Sequence, residues 1–452
     1  MSESPSAGDG AAGAAPRRHL QVRHAIAVCV GTVVGSGIFR ASPDVAANLT
    51  GPAQLFGAWL MGAVLSVLGA LCFAEMSAAF PHAGGDYAFL ARAYGRRLAL
   101  LFAWSRFSVI HTGSMALLAF VFGDYLAQIF NFGAMSSPVF GMLAVLVLIF
   151  VNLRGVRLGI GTQLGLMSLV VFGLSCVFLA GLWQAWHGVA PPASAPAAGA
   201  SRPGAAMIFV LLAYGGWSDA ATLSAEMRDE RRGIVLALIG GLGIVALLYM
   251  GANWGFLTVL GYTGLATSHA PAAEAMRLAF GRIGEVLMVV TVATTAISVM
   301  NSLLIVGART TYAAVNDWSG EVHLGRWDVL RGHPAQAMIA MGVVALLQLV
   351  FGSLTLDGFK NMVDFMTPVY WFFLSLSALA VMVLRRRFPD APRPFRVPGY
   401  PFTPLVFFAS CLYMLYSSLV YVQMGALVGV AVLALGGLLL LPERRGRGDR
   451  KT

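Results

Sequence analysis

The sequence predicts an all-α membrane protein of about twelve transmembrane helices, on three observations. Of its 452 residues, 58% are hydrophobic and only 11% charged, with a mean hydropathy of +0.77. Soluble domains carry about 25% charge and 45–50% apolar residues, so a water-soluble fold cannot hide this much apolar surface. A bilayer-spanning helix needs about 20 mostly apolar residues, and roughly twelve such stretches fit between Arg23 and Leu441. The Lys and Arg residues, finally, sort by loop in alternation, which is how membrane topology is written. With the N-terminus inside, twenty-four fall in inside loops and only four (Arg202, Arg277, Arg282 and Lys360) in outside loops, while Arg40 and Arg106 stay near or within spans. An odd number of spans would spoil that alternation. The net charge of +10 therefore reads as inside-facing topology suited to anionic lipid headgroups, not as a nucleic-acid surface.

The expected spans are 23–43, 54–80, 98–130, 137–153, 161–184, 205–227, 233–259, 285–313, 335–352, 361–384, 404–422 and 424–441. They are helices because runs such as Leu55 to Phe80 or Met338 to Val350 do not alternate as barrel strands would. Ahead of the first span, residues 1–19 are rich in Ala, Gly and Ser and read as a disordered cytoplasmic tail. No small-residue cleavage site follows the first apolar run, so a removed signal peptide is not expected. Between the fifth and sixth spans, 185–204 carries Pro191, Pro192, Pro196 and Pro203 among alanines and reads as a structureless external connection. Residues 262–284, Ala-rich with Arg277 and Arg282, read as an interfacial helix. The transmembrane domain is thus 20–441, and 442–452 is a basic cytoplasmic tail. Cys29, Cys72, Cys176 and Cys411 fall inside spans without metal-ligand spacing and read as small packing residues.

Function should be sought where a span is interrupted, because unpaired backbone groups at membrane depth cost several kcal/mol each unless they line a cavity or are buried in protein. The first span contains Gly31-Thr32-Val33-Val34-Gly35-Ser36-Gly37-Ile38-Phe39, and the sixth contains Ala213-Tyr214-Gly215-Gly216-Trp217-Ser218-Asp219. Glycine costs ~1 kcal/mol relative to alanine in a helix interior, so both runs weaken their helices. Glycines also let helices pack closely, which is the plainer account of one such run. Two runs, at the first and sixth spans, fit a five-plus-five inverted repeat whose broken helices meet at the midplane. A half-helix N-terminus with free N–H donors can hold a carboxylate, and freed carbonyls can hold an ammonium. One zwitterion satisfies both sets.

Charged residues inside spans are the remaining candidates, at ~2.5–3.5 kcal/mol each on insertion scales. Glu75 and Glu226, near inner helix ends, read as structural ion pairs. His111, mid-span, is a proton-coupling candidate, although a hydrogen-bonded packing role is the plainer reading and Arg106 nearby would oppose its protonation. Asp219 is the one acidic residue in either interruption, so neutral substrates fit better than cations. No P-loop, HExxH, Ser-His-Asp pattern or nucleotide fingerprint stands in a supporting context. An enzyme or ATP-driven pump has no chemistry here, and no cofactor is expected.

Across about residues 20–441 the chain resembles the amino acid-polyamine-organocation superfamily, and within it the L-type amino acid transporters and their bacterial relatives. The resemblance rests on GTVVGSGIF at 31–39, AEMSAAFPHAGGDYAFL at 74–90, VNLRGV at 151–156, AYGGWSDAATLSAEMRDERRGI at 213–234, the stretch from Asn301-Ser302 to Arg309, and RPFRVPGYPFTP at 393–404. It implies a permease of the inner (plasma) membrane, with both termini cytoplasmic, that carries amino acids by alternating access. It also implies that the substrate carboxylate sits on the amides around Gly35, Ser36, Gly37 and Ile38. The ammonium would face the carbonyls of Thr32, Val33 and Ala213, with Tyr214, Gly215, Gly216 and Trp217 completing the second break.

Three departures qualify this picture. Leu212 stands where relatives often place an aromatic lid. Val170 stands where many carry a lysine that replaces sodium, which leaves the coupling ion to be found among His111, Thr294, Thr295, Ser298, Asn301 and Ser302, or absent altogether. Asp229-Glu230 replaces an Asn-Pro pair, with a loop effect only. The loop 131–137 lacks the cysteine by which animal relatives attach a heavy chain, so no disulfide-linked partner is expected. The alternatives are an amine or polyamine carrier and a non-transporting sensor or channel on the same scaffold.

Overall fold

The computed structural model describes residues 22–82, 85–154, 160–188, 200–218, 232–318, 334–354, 357–421 and 424–440. These residues form helices and connections, with no strand among them. In chain order the helices are α1 (Val22–Val33), α2 (Ile38–Ala47), α3 (Pro52–Ala79), α4 (Asp86–Tyr94), α5 (Arg96–Ser105), α6 (His111–Leu126), α7 (Ser136–Leu153) and α8 (Ile160–Trp186). They continue as α9 (Pro203–Ala213), α10 (Arg232–Thr267), α11 (Pro271–Trp318), α12 (Ala335–Ser353), α13 (Gly358–Arg387), α14 (Phe402–Tyr421) and α15 (Met424–Leu440). Among the described residues, nine helices are long and apolar enough to cross a membrane, or ten with the bent pair α1 and α2 counted as one span. The expected sixth and twelfth spans coincide with two shorter apolar helices, α9 and α15, and the inner part of the sixth lies outside the described residues, as do Asp219, Glu226 and both tails.

Helix boundaries depart from the expected spans chiefly at glycines. α10 and α11 run past the expected boundaries because each is two helices joined at a kink, at Gly261 (φ 69°) and Gly281 (φ 67°). Only glycine takes that left-handed turn without strain. The stretch 262–284 is thus largely helical, in short pieces on either side of a bend. α4 was not expected. It buries Ala88, Phe89, Leu90 and Ala93, and has Asp86 in its first turn and Arg92 in its last, both signs favourable to the helix dipole. α5 and α6 form one span joined by a π-helical turn, Arg106–Ile110.

Small residues set the close approaches, as membrane packing requires in the absence of a hydrophobic drive between helices. A Cβ on Gly241 would meet the Cys29 side chain at 2.7 Å, which packs α1 on α10, and one on Gly141 would meet the Ala119 carbonyl at 2.7 Å, which packs α7 on α6. Cys29, Cys72 and Cys411 are buried, and none of the four cysteines is paired.

Candidate functional site

α1 ends at Val33, the chain runs non-helically through Val34–Gly37, and α2 resumes at Ile38 with its axis bent by 58°. The last helical bond is from the Val34 amide to Val30 O (2.8 Å), and the next begins when Phe39 N reaches Ser36 O (3.2 Å). Between them the amides of Ser36, Gly37 and Ile38 find no backbone acceptor among the described residues. They form the open N-terminus of α2, where free donors and the positive end of the helix dipole coincide. A Cβ added to Gly35 or Gly37 would meet nothing within 4 Å, so space lies beside both. Ser36 is fully buried, and its Oγ has no hydrogen-bond partner.

α9 ends at Ala213, and a turn follows in which Gly215 N donates to Leu212 O (3.0 Å) and Gly216 takes φ 97°. A Cβ on Gly216 would collide with the Thr32 carbonyl oxygen and lie 2.9 Å from its carbon. Two facts therefore demand glycine at 216: the left-handed backbone and the contact of the turn after α9 on the end of α1. The Tyr249 hydroxyl, from α10, joins them further. It donates to Ala213 O at 2.9 Å and lies 3.3 Å from Val33 O.

Aromatic rings back this junction. Trp59 meets Tyr249 edge-on at 5.3 Å and Tyr214 at 5.9 Å, and Tyr214 lies 5.1 Å from Tyr249. The Tyr214 hydroxyl and Trp59 Nε1 are buried without a partner. Trp217 packs edge-on against Phe73 and Phe407. Leu212 is half-buried, touching both the main core and a second cluster formed by Phe102, Val109, Ile110, Phe365, Val369 and Phe373. Thr32 turns its hydroxyl back onto Cys29 O (3.1 Å), leaving its own carbonyl to the junction.

The residues expected at the breaks are thus brought together, and the coupling candidates are not. His111 Nε2 accepts from Arg106 Nε (3.1 Å) and lies 2.7 Å from a second Arg106 nitrogen, while its Nδ1 has no partner. Asn301 Oδ1 accepts from Asn152 (2.6 Å), which ties α7 to α11. Ser302 donates to Ser298 O (3.1 Å) and Thr295 to Thr291 O (3.0 Å), the back-bonding of packed helix hydroxyls. Val170 is buried on α8 one turn before Gly173, where a Cβ would meet Thr291 at 2.9 Å and Phe39 at 3.3 Å.

Two ion networks flank the breaks. On α2, the fully buried Arg40 contacts Asp44 (2.8 Å), Asp124 (3.3 Å), Asp357 (2.9 Å) and His269 (3.2 Å), with its guanidinium 4.7 Å from the Phe359 ring centre. Burial alone would raise the Asp357 carboxyl, but the Arg40 charge and hydrogen bond, the Lys360 amide and the nearby His269 together outweigh it and hold that group below its ordinary range. At the other end of α3, Glu75 takes two bonds from Arg385 (2.7 and 2.6 Å) and one from the Val397 amide (2.6 Å), with Arg393 at 3.7 Å. Glu75 is thus ion-paired, as its place near a helix end predicts, whereas the Arg40 hub has only Asp44, one helical turn on, as a local signal. Nothing local marked Tyr249 or Trp59.

Many apolar helices, with the end of α1 and the turn after α9 meeting at a polar junction, define a multi-pass membrane protein. The chain belongs to the amino acid permease family, whose model matches residues 20–436. It is 26% identical over 438 residues to the serine/threonine exchanger SteT of Bacillus subtilis, covering 96% of this chain and 98% of that one. It is 27% identical to the human b(0,+)-type amino acid transporter 1 (84% and 79% covered) and 26% identical to the human large neutral amino acids transporter small subunit 2 (96% and 83%).

Proposed function

We propose that the protein moves neutral amino acids across the membrane, by exchange or symport, binding the zwitterion between the two breaks. The observation that carries this is the pairing of open Ser36, Gly37 and Ile38 amides with the carbonyls of Thr32, Val33 and Ala213 around one buried junction. The amides take the carboxylate and the carbonyls the ammonium, each in a low-dielectric site where an unmade bond is costly. The names of the relatives support an amino acid as cargo. No residue from Gly31 to Phe39 or from Leu212 to Ser218 is charged, which favours neutral side chains over amines or polyamines.

Alternating access would rock the span pair of the breaks against the others, with the Arg40 and Glu75 networks parting in turn. An inverted repeat, twelve spans, cytoplasmic termini in the inner membrane and the absence of a disulfide-linked partner complete this reading. Counterflow in proteoliposomes tests it. Preloaded unlabelled amino acids, screened one by one with and without sodium and a pH gradient, should drive saturable uptake of a labelled neutral amino acid. Uptake that never saturates, or none with any amino acid, would sink the proposal.

A further inference from the structure

Far from the junction, the ends of two spans carry arginines whose charge the protein does not offset. Arg386 and Arg387 lie in the last turn of α13, Arg97 is the second residue of α5, and Arg92 stands in the last turn of α4. One contact gathers them. Arg387 Nη1 donates to the carbonyls of Arg92 (3.1 Å) and Ala93 (3.3 Å), which caps the C-terminal end of α4 and holds it against the end of α13. The Arg92 guanidinium lies 5.2 Å from the Phe80 ring centre, and Phe80 meets Phe388 edge-on at 5.7 Å, so an aromatic bed runs beneath the group. Among the described residues, none of these four arginines has a carboxylate within salt-bridge distance, whereas Arg385, one residue earlier, is paired with Glu75. The acid of α4, Asp86, stands at the opposite end of that helix. Arg92 Nη1 is buried without a partner, and Arg97, Arg386 and Arg387 are exposed.

Their height in the molecule says what neutralises them. α5 and α6 make one 31-residue apolar span and α13 a 30-residue one, so residues at these span ends stand at the level of lipid headgroups. An apolar strip descends beside them. α15 packs on α5, with Trp104 Nε1 donating to Val432 O (2.9 Å) and Gly436 leaving room for the Trp104 ring, and it turns Leu435 and Leu438 outward, 51% and 62% exposed. We propose that Arg92, Arg97, Arg386 and Arg387 form a site for the phosphodiester headgroup of an anionic phospholipid, whose acyl chains lie along the exposed leucines of α15. Guanidinium forks match the oxygens of a phosphate, two bonds at a time. A zwitterionic lipid brings its own ammonium and leaves the surplus positive charge uncorrected. An acidic peptide would answer the charge and make no use of the apolar strip.

The test uses purified, delipidated full-length protein in detergent, with phosphatidylglycerol and phosphatidylcholine as probes and bound lipid counted by native mass spectrometry. Wild type should retain phosphatidylglycerol in preference to phosphatidylcholine, and its unfolding midpoint should rise with the anionic lipid alone. A basic residue beside an anionic surface contributes about fivefold in binding, so the double variant Arg97→Gln, Arg386→Gln should bind phosphatidylglycerol on the order of twentyfold more weakly. Both side chains are exposed, so the variant keeps its packing. A matched double variant at exposed arginines of other elements, Arg202→Gln, Arg277→Gln, should bind like wild type. Equal loss in the two double variants, or a loss under about threefold in the first, overturns the site. So does a midpoint raised as much by inorganic phosphate as by the lipid, which would make this a place for a free anion. A measurement on the wild type covers a variant that does not fold. Raising the salt to about 1 M should release the lipid, since exposed charges are then screened within a few ångströms; retention at that salt would mean that the acyl chains alone hold it, and the proposal fails.

Discussion

Ser36 and Arg40 lie one helical turn apart on the same span, both buried, and their polar atoms are treated in opposite ways. Arg40 is saturated, with three carboxylates, an imidazole and a ring around its guanidinium. Ser36 Oγ has nothing, and the three amides beginning at its own have no backbone acceptor. In a low-dielectric interior an unpaired polar group is costly, so the two arrangements differ in what completes them. The protein completes Arg40 by drawing together residues 84 and 317 positions away in sequence. Ser36 has no such partner from within the protein. On the proposed function, saturated networks hold the helices in place and the open junction receives the ligand.

Gly37→Leu attacks the open side and has the largest expected effect. A Cβ at 37 meets nothing within 4 Å in the empty protein, so the alanine variant folds without strain, while the larger leucine fills the space the carboxylate needs. Uptake of labelled amino acid into proteoliposomes should vanish for Gly37→Leu, with expression intact, and normal uptake would erase the distinction between the two regions.

Arg40→Ala attacks the saturated side. It strands Asp44, Asp124 and Asp357 together, and breaking a buried ion network of this kind costs about 3–5 kcal/mol. A large fall in the midpoint of thermal unfolding in detergent is expected. Arg40→Lys should recover little of it, since an ammonium cannot span the fork that a guanidinium fills. The contribution of the depressed Asp357 carboxyl is full above the ordinary carboxylate range and is lost only as pH falls through the lowered folded value. A variant as stable as wild type would show that the network is decorative.

How far the sequence foretold these regions follows from which interactions are local. The second span was expected at 54–80 and is α3, Pro52–Ala79, because length and hydropathy are local properties. The first break was legible because three glycines in seven residues weaken a helix wherever they stand. Arg40 was not legible as a hub, since its partners on α6 and at the start of α13 are distant in sequence. Tyr249 was hidden for a different reason. In a membrane span both the lipid face and the packed face are apolar, so periodicity does not say which side of α10 points at the breaks. The π-helical turn at Arg106–Ile110 has no compositional signature and shows only in the backbone hydrogen bonds, such as that from the His111 amide to Arg106 O.

A smaller contrast separates stability from affinity at Ser36 itself. Its hydroxyl has no partner in the protein, so Ser36→Ala removes a buried orphan and should leave the unfolding midpoint unchanged or slightly raised. Substrate affinity should fall by roughly fivefold, the loss of one modest hydrogen bond. Arg40→Ala should show the reverse pattern, with stability lost first. If Ser36→Ala destabilises the protein and spares KM, the hydroxyl belongs to the packing and the open side of the comparison loses a member.

The smallest effect is expected at His111, which tests whether a polar group inside a span must be functional. Two Arg106 nitrogens approach the same ring nitrogen, at 3.1 and 2.7 Å, and at least one donates to it, so Nε2 has to be unprotonated. Protonating it would set a second positive charge against the guanidinium and force Arg106 away. His111 is therefore an acceptor that anchors Arg106 beside the π-helical turn, in the manner of Arg40's partners and unlike Ser36. His111→Gln keeps an acceptor near the same place. The pH profile of transport between about pH 6 and 8, where an exposed histidine would titrate, should match wild type. A profile flattened or shifted by this substitution would make His111 the carrier of a coupling proton and move it to the functional side of the molecule.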